Sequence, residues 1–353
     1  MFAKKTLVAL AALVAAAGAA HAQSSLKVYG LMDLGVGSFE GAHQKGASSR
    51  TTEVKSGAMT TSFIGFAGVE DLGGGLKAEF TLESFLAADT GATLGNNAGN
   101  FWGRASNVAL SGDFGKVALG QYDNPLFTSG YTYNPFGSSM AFSPTMRHFS
   151  YLGQTPIPGA GVGFDTGWVN SVTYESPSFS GLSFVAQMAL KEATGSANKN
   201  SYTAAASYNA GPLSATLTYA KGGKTTQPAV GVYGGRGAYT ANEKIWNLGA
   251  SYDFGVVKAF GQYTNVKDDD TEAKDKIFQV GASVPVTDKA AVLASFGQLK
   301  NETAGVTTKD EVFSLGYDYT VSKRTDIYGV FSNHRVSGLV SGQSLAVGLR
   351  HNF

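Results

Sequence analysis

Outside the first twenty-two residues the histidines are His43, His148, His334 and His351, the side chains best suited to general acid or base work near neutral pH. None stands in a Ser/His/Asp arrangement or in a metal-ligand spacing. His148 follows Arg147, a pair that could bind an anion or respond to pH, but no nucleophile or orienting carboxylate accompanies it. The run Lys267-Asp268-Asp269-Asp270-Thr271-Glu272 gathers carboxylates that could hold a divalent cation. It lacks the paced spacing of a calcium loop and reads as a solvated surface loop. Gly159-Ala160-Gly161-Val162-Gly163 resembles a phosphate-cradling loop, yet no phosphate-binding helix follows it. These features imply no enzyme, no cofactor and no metal centre. What remains is fixed charge on regular elements, such as Lys77, Glu79 and Glu83 at alternate positions, and its meaning depends on what those elements are.

The stretch Phe63–Ser84 shows what they are. Leu76, Ala78, Phe80 and Leu82 alternate with Lys77, Glu79, Thr81 and Glu83, the period-two pattern of a strand with one apolar and one polar face. Ile64 and Phe66 alternate in the same way before Asp71-Leu72-Gly73-Gly74-Gly75, which supplies the positive φ of a tight reversal. This is an amphipathic hairpin. Its apolar face must meet either a second sheet or lipid.

Several properties decide between them. The chain has 353 residues, 46 of them Gly and none Cys, so a disulfide framework is excluded. Lys+Arg 27 against Asp+Glu 26 gives no global reason to expect nucleic acid as a partner. Lys4 and Lys5 precede an apolar run from Leu7 to Ala17, and Ala20-His21-Ala22 closes it with small residues, the pattern of an export signal cleaved after Ala22. No later run is long enough to span a bilayer as a helix. From residue 23 to 353, hairpin segments recur with short turns near Ser176–Gly181, Gly211-Pro212, Asp253–Val256, Pro285–Lys289 and Ser322–Arg324. Longer polar connections alternate with them, near Glu192–Asn200, Gly222–Glu243, Asp268–Lys274, Glu302–Thr308 and Val336–Gly342. Alternating short turns and long loops with an even strand number mark a transmembrane barrel.

Aromatic residues favour lipid. Tyr208, Phe254, Tyr317, Tyr319 and Phe353 fall at strand ends near short turns or the terminus, and Tyr219, Trp246 and Tyr263 at ends near long loops, as two interfacial belts require. On the strand around Trp246, Leu248, Ala250 and Tyr252, the companion set Asn247, Ser251 and Asp253 is costly to bury unpaired, so water lines that side. The sequence predicts an all-β, 16-stranded antiparallel transmembrane β-barrel ending with Ser344–Phe353, wide enough for an aqueous channel. Residues 122–166 break the rhythm, and an irregular stretch this long is expected to be functional.

Across its whole length the chain resembles the trimeric general-diffusion porins of Gram-negative outer membranes, of the β-proteobacterial type. The resemblance rests on Val28-Tyr29-Gly30-Leu31-Met32-Asp33, Gly68-Val69-Glu70-Asp71-Leu72-Gly73-Gly74-Gly75-Leu76 and Leu110-Ser111-Gly112-Asp113-Phe114-Gly115. Asn170-Ser171-Val172-Thr173-Tyr174-Glu175-Ser176-Pro177, Ser322-Lys323-Arg324-Thr325-Asp326 and Val347-Gly348-Leu349-Arg350-His351-Asn352-Phe353 extend it. It implies a homotrimer in the outer membrane, contact with lipid and lipopolysaccharide, and passage of small hydrophilic solutes and ions. It also implies a third loop, about 122–166, folded into the barrel, with Asn134-Pro135-Phe136-Gly137-Ser138 similar to the family's acidic tip motif but lacking the acid. Phe353 resembles the terminal aromatic read by the outer-membrane assembly machinery as an insertion signal.

The same resemblance points to a constriction built from Arg104, Lys77, Glu79, Glu83 and Thr173 on the wall, with Asn134, Arg147 and His148 on the loop. Family wall arginines are replaced at Phe63, Ala67, Gln121 and Thr173, which implies a weaker anion preference. A substrate-specific pore for organic or aromatic acids, with a greasy track of Phe63, Tyr131, Tyr133 and Phe136, is one alternative. A secreted β-rich adhesin without a pore is another.

Overall fold

The computed structural model describes residues 25–48, 50–94, 100–149, 167–191, 199–223, 242–270 and 272–353. The expected leader, 1–22, and the second part of the irregular stretch, 150–166, lie outside the described residues.

The first strand segments are β1 (Ser25–Phe39), β2 (Thr51–Ser56), β3 (Phe63–Gly73), β4 (Leu76–Ala87), β5 (Ala92–Thr93) and β6 (Ala105–Gly112). Next come β7 (Gly115–Asp123), β8 (Gly167–Glu175), β9 (Leu182–Ala189), β10 (Ser201–Ala210), β11 (Leu213–Lys221) and β12 (Glu243–Asp253). The last are β13 (Lys258–Asp268), β14 (Lys274–Thr287), β15 (Ala290–Thr303), β16 (Val306–Ser322), β17 (Thr325–Val336) and β18 (Gly342–Asn352). All pairings are antiparallel, and β1 closes the ring on β18 from Leu31↔Asn352 to Ser38↔Leu345.

The barrel has sixteen staves because two segments are not separate ones. The lower half of β1 pairs with β3 and its upper half with β2, so β2 and β3 form one stave interrupted at residues 57–62. The ribbon β5 only extends the tip of β4. Closure leaves no sheet edge, which is what lipid demands of a spanning sheet.

Side-chain alternation follows the sequence pattern. On β12, Trp246, Leu248 and Tyr252 are 52%, 53% and 41% exposed, while Asn247 and Ser251 are buried on the opposite, inward face. Tyr208, Tyr252, Phe254, Tyr317 and Tyr319 are exposed near the short turns, and Tyr202, Trp246 and Tyr263 near the other end. At the seam, Phe353 exchanges two backbone hydrogen bonds with Gly30, which carries the terminus onto β1.

Four details differ from the sequence-based expectation. The connection expected at Glu302–Thr308 is a two-residue turn, because Ala304 and Gly305 take φ of +49° and +78°, the geometry that continues strand twist through a hairpin. The sequence from about Phe101 to Leu110 reads as one strand, but β6 begins only at Ala105, leaving Arg104 at its mouth. The Gly/Ser/Lys-containing stretch from about Glu40 to Gly57 reads as a polar connection, but it contains β2. Most important, the inward face is not polar throughout: Ile245, Val266, Ile277 and Leu299 point inward and are buried. Alternation tells which side a residue faces but not what covers it there.

The outward face generates a direct test. Val280, mid-strand on β14 and 55% exposed, should cost roughly 2–4 kcal/mol of folding stability in bilayers when changed to Arg. A folding titration into lipid vesicles that found Val280→Arg neutral would reverse the assignment of the two faces.

Candidate functional site

The irregular segment after β7 supplies the only helices among the described residues, α1 (Pro125–Thr132) and α2 (Pro144–Phe149). Asn124 starts α1, its Oδ1 accepting from the Leu126 amide at 2.9 Å, and Pro125 takes the position where a missing N–H is harmless. The same buried Asn124 donates from Nδ2 to Gln187 on β9 at 2.9 Å and to Thr203 on β10 at 3.1 Å. One side chain therefore begins the helix and fastens it to the wall.

Further hydrogen bonds carry the segment across the inward faces of later strands. Ser129 donates to Asn247 on β12, and Gln262 on β13 donates to the Gly130 carbonyl at 3.1 Å. Thr145 donates to Gln279 on β14 at 3.2 Å, and Ser314 on β16 to the Phe142 carbonyl at 2.6 Å. Apolar contacts follow the same path: Leu126 and Phe149 join the buried cluster of Ile245, Val266, Ile277 and Leu299. This is why those inward positions are apolar.

Close approach needs inward glycines. A Cβ at Gly281 would lie 2.6 Å from Pro135, and one at Gly316 would lie 2.9 Å from Phe136. Gly297 meets Pro144 in the same way at 2.5 Å. These positions on β14, β16 and β15 form a smooth track for the tip of the segment.

A second, shorter segment meets the first. Residues 57–62, which interrupt the β2/β3 stave, are organised by Asp33 of β1. One carboxylate oxygen of Asp33 accepts from the amides of Met59 and Thr60, both at 2.7 Å, and the other accepts from the Tyr328 hydroxyl at 2.7 Å. Ser139 of the long segment donates to the Ala58 carbonyl at 2.6 Å. Met59, Phe136, Phe142, Leu293 and Tyr328 then form a second buried apolar cluster. The two segments brace each other.

The residues expected at a constriction fall into three groups. Glu83 and Arg104 come together as an ion pair, with the Tyr29 hydroxyl donating to Glu83 at 2.6 Å and the Phe63 ring centroid 4.3 Å from the guanidinium. Glu79, further along β4, pairs with Lys116 at 2.7 Å, and Thr173 is buried, accepting from Gln187 at 3.0 Å. Lys77 sits beside the short turn, six residues and roughly 20 Å along the strand from Glu83. It is not brought to the Arg104 pair.

The loop residues face the other way. Asn134 is buried and folded on its own turn, donating to the carbonyls of Gly130 at 2.6 Å and Gly137 at 3.0 Å. His148 is buried, with Nε2 3.3 Å from Asp310. Arg147 reaches the Ala141 carbonyl and His334 Nδ1, each at 3.1 Å. Because the Ala42 amide also donates to His334 Nδ1, the His334 proton sits on Nε2, which donates to Asp310 at 2.9 Å. Of the greasy-track residues, Tyr133 and Phe136 are 3% and 1% exposed against the wall, so that track is not assembled.

Sequence reasoning missed Asp33, Tyr328, Asp310 and His334. They are isolated polar residues in strands far apart in sequence; inward-facing charge beside a long irregular segment is the one signal that could have found them. Of the run Lys267–Glu272, Lys267 and Asp268 end β13, with Asp268 buried, and Thr271 lies outside the described residues. Asp269 is bound by Lys244 at 2.6 Å and Lys267 at 3.4 Å, and the hydrogen bond from Lys244 holds its carboxyl below the usual range. No cluster of three or more potential metal ligands is found among the described residues.

The family model described as Gram-negative porin matches residues 9–339. The chain is 35% identical over 381 residues to outer membrane porin protein 32 of Delftia acidovorans, covering 99% of this chain and 100% of that protein. It is 28% identical over 403 residues to an outer membrane porin protein of Bordetella pertussis, covering 99% of this chain and 100% of that protein. Among solved structures, an anion-selective porin from Comamonas acidovorans superimposes with a TM-score of 0.75 at 28% identity, covering 94% of this chain and 100% of that one. OmpT of Vibrio cholerae in a trimer form shares the fold, with a TM-score of 0.64 at 15% identity over 94% of this chain and 99% of that one.

Asp33 gives the sharpest test of the braced segments. Asp33→Ala strands the Tyr328 hydroxyl and two amides, at about 1–3 kcal/mol for each buried donor left unpaired. Hydrogen exchange at the Met59 and Thr60 amides should speed up while exchange on β12 stays unchanged. Equal protection in both proteins would remove Asp33 from its organising role.

Proposed function

The chain belongs to the Gram-negative porin family, and from that membership we propose how its outer-membrane channel selects solutes. The channel is a water-filled lumen through which small hydrophilic solutes and ions diffuse; no chemical step is required, because water replaces the hydrocarbon barrier. The 1–22 leader directs export, and Phe353 is the insertion signal for the assembly machinery. We take the assembly to be a homotrimer, in keeping with the family resemblance, with the outer wall in contact with lipid and lipopolysaccharide.

In this reading the segment from residue 122 to 166 is the constriction loop. The contacts of residues 124–149 with strands from β9 to β18 support a lumen filled on that side and open towards β3, β4, β6 and β7. Solutes then pass the Tyr29–Glu83–Arg104 group, with the Glu79–Lys116 pair beyond it. Asn134, Arg147 and His148 act as anchors of the loop and not as pore-lining selectors.

The observation that carries the selectivity is pairing. Arg104, Lys116 and Arg350 each have a carboxylate partner: Glu83, Glu79, and Asp318 with Asp326. Such a wall presents alternating, locally cancelled charge and leaves little net field to favour anions. We therefore assign this channel a weaker anion preference than a porin with unpaired wall arginines.

Reversal potentials in a planar bilayer under a salt gradient test this assignment. Arg104→Ala exposes Glu83 and should shift the potential towards cations, whereas Glu83→Gln frees Arg104 and should shift it towards anions. Conductance and selectivity unchanged by both substitutions would take the pair out of the constriction.

A further inference from the structure

Distant stretches of the chain meet at one imidazole inside the barrel. His334 of β17 accepts at Nδ1 from the Ala42 amide, in the connection after β1, and from the Arg147 guanidinium of α2, both at 3.1 Å. Its Nε2 donates to Asp310 of β16 at 2.9 Å. His148, beside Arg147 on α2, brings its own Nε2 to the same Asp310 oxygen at 3.3 Å. Asp310, His148 and His334 are 1%, 1% and 4% exposed, so a partner lost there is not replaced by bulk water.

The two imidazoles differ in what an added proton would do. On His334 it can go only to Nδ1, which already receives two donors, and an imidazolium has no lone pair with which to accept either. Both hydrogen bonds would be lost, and the new charge would face the Arg147 guanidinium at contact distance. His148 Nδ1 is buried with no hydrogen-bond partner among the described residues, so a proton there breaks none of these contacts. The arrangement therefore requires one protonation state of His334, the neutral one.

Few other charges face this group. α2 supplies Arg147 and His148, and β16 supplies Asp310. In the connection after β1, Glu40 is held by Arg50 at 2.5 Å and lies 3.8 Å from His43, whose Nδ1 is 3.2 Å from the Gly41 carbonyl. Val312 on β16 and Gly342 on β18, directly opposite His334, are uncharged, as is Leu299 of β15, opposite Asp310. Asp310 favours an imidazolium at His334 and Arg147 opposes it, so the two forfeited hydrogen bonds decide the sign. A proton on His334 works against the joint.

We infer that His334 is a proton-sensitive latch: while neutral it ties the end of α2 and the connection after β1 to the barrel wall, and its protonation releases both. The consequence for permeation rests on the channel reading given above, in which the α1–α2 segment narrows the lumen. His334 lies two residues from the end of β17 that leads into the connection 337–341, and long connections mark the external side of such barrels, so the proton comes from outside the cell. An imidazole free in water titrates at about pH 6.5, so the latch is complete above that value and is lost as pH falls below it. Between about pH 7.5 and pH 5 the ratio of latched to released segment should fall roughly thirtyfold. Wall lies on one side of α2, so a released α2 moves into the open half of the lumen. Acid narrows the pore.

The test reads the refolded mature protein in two independent ways. Hydrogen exchange over residues 141–149, corrected for the intrinsic effect of pH, reports the latch, and single-channel conductance in a planar bilayer reports the pore. In the wild type, exchange should be roughly thirtyfold faster at about pH 5 than at about pH 7.5, and mean conductance should be lower. His334→Gln keeps an acceptor but takes no proton, so both responses should disappear, whereas His148→Gln should retain them. Arg147→Met removes the donor and should exchange at neutral pH as fast as the wild type does in acid; it serves also if His334→Gln does not refold. Equal exchange at both pH values in the wild type, a response that survives in His334→Gln, or one that His148→Gln abolishes would overturn the inference. Exchange that responds while conductance does not would instead overturn the channel reading of this segment and leave the latch standing.

Discussion

No backbone amide or carbonyl can be left unpaired in hydrocarbon, and nearly everything about this molecule follows from that constraint. It forces the sheet to close and turns the usual protein inside out, with apolar side chains outside and polar ones within. Hydrogen-bond partners for β1 are divided between β18, β2 and β3 so that the ring has no free edge. Once closed, the barrel has placed most of its apolar residues on the exterior. Its internal segments need holding, and it holds them by hydrogen bonds together with two inward apolar clusters.

The inner wall meets that need by being two surfaces. From β9 round to β18 it offers amides, hydroxyls, inward glycines and a patch of apolar side chains, and the segment containing α1 and α2 lies on them. Around β3, β4, β6 and β7 it offers paired charge. The buried carboxylates Asp310, on the first surface, and Asp33, on the adjoining β1, each gather donors from segments far apart in sequence, satisfying charge that would otherwise be expensive to bury. Glu83 and Glu79 belong to the second, each paired with a cation, Arg104 and Lys116.

Much of this fold was legible in the sequence, because period-two alternation is enforced residue by residue wherever one face meets lipid. The hairpin of Phe63–Ser84, the placement of Tyr208 and Trp246, and the count of sixteen staves all follow from that rule. The site was legible only in part. Glu83 and Arg104 could be named from the family resemblance and their place on the wall, but Asn134 and His148 could not be told from pore-lining residues, since an anchor and a selector are chemically the same side chain. Ile245 and Leu299 look like exceptions to a polar face until the segment covering them is known. The interruption at residues 57–62 hides in a polar stretch with no period of its own.

The anchors of the α1–α2 segment have a temporal meaning as well. His148 is 162 positions from Asp310, Arg147 is 187 from His334, and the Phe142 carbonyl is 172 from Ser314. Every one of those partners lies on a strand made after the segment itself, and contacts of such sequence separation form late because loop closure must precede them. These anchors therefore form only when the last strands come into register, so the segment is tied to its wall late in folding, after the chain around it has closed.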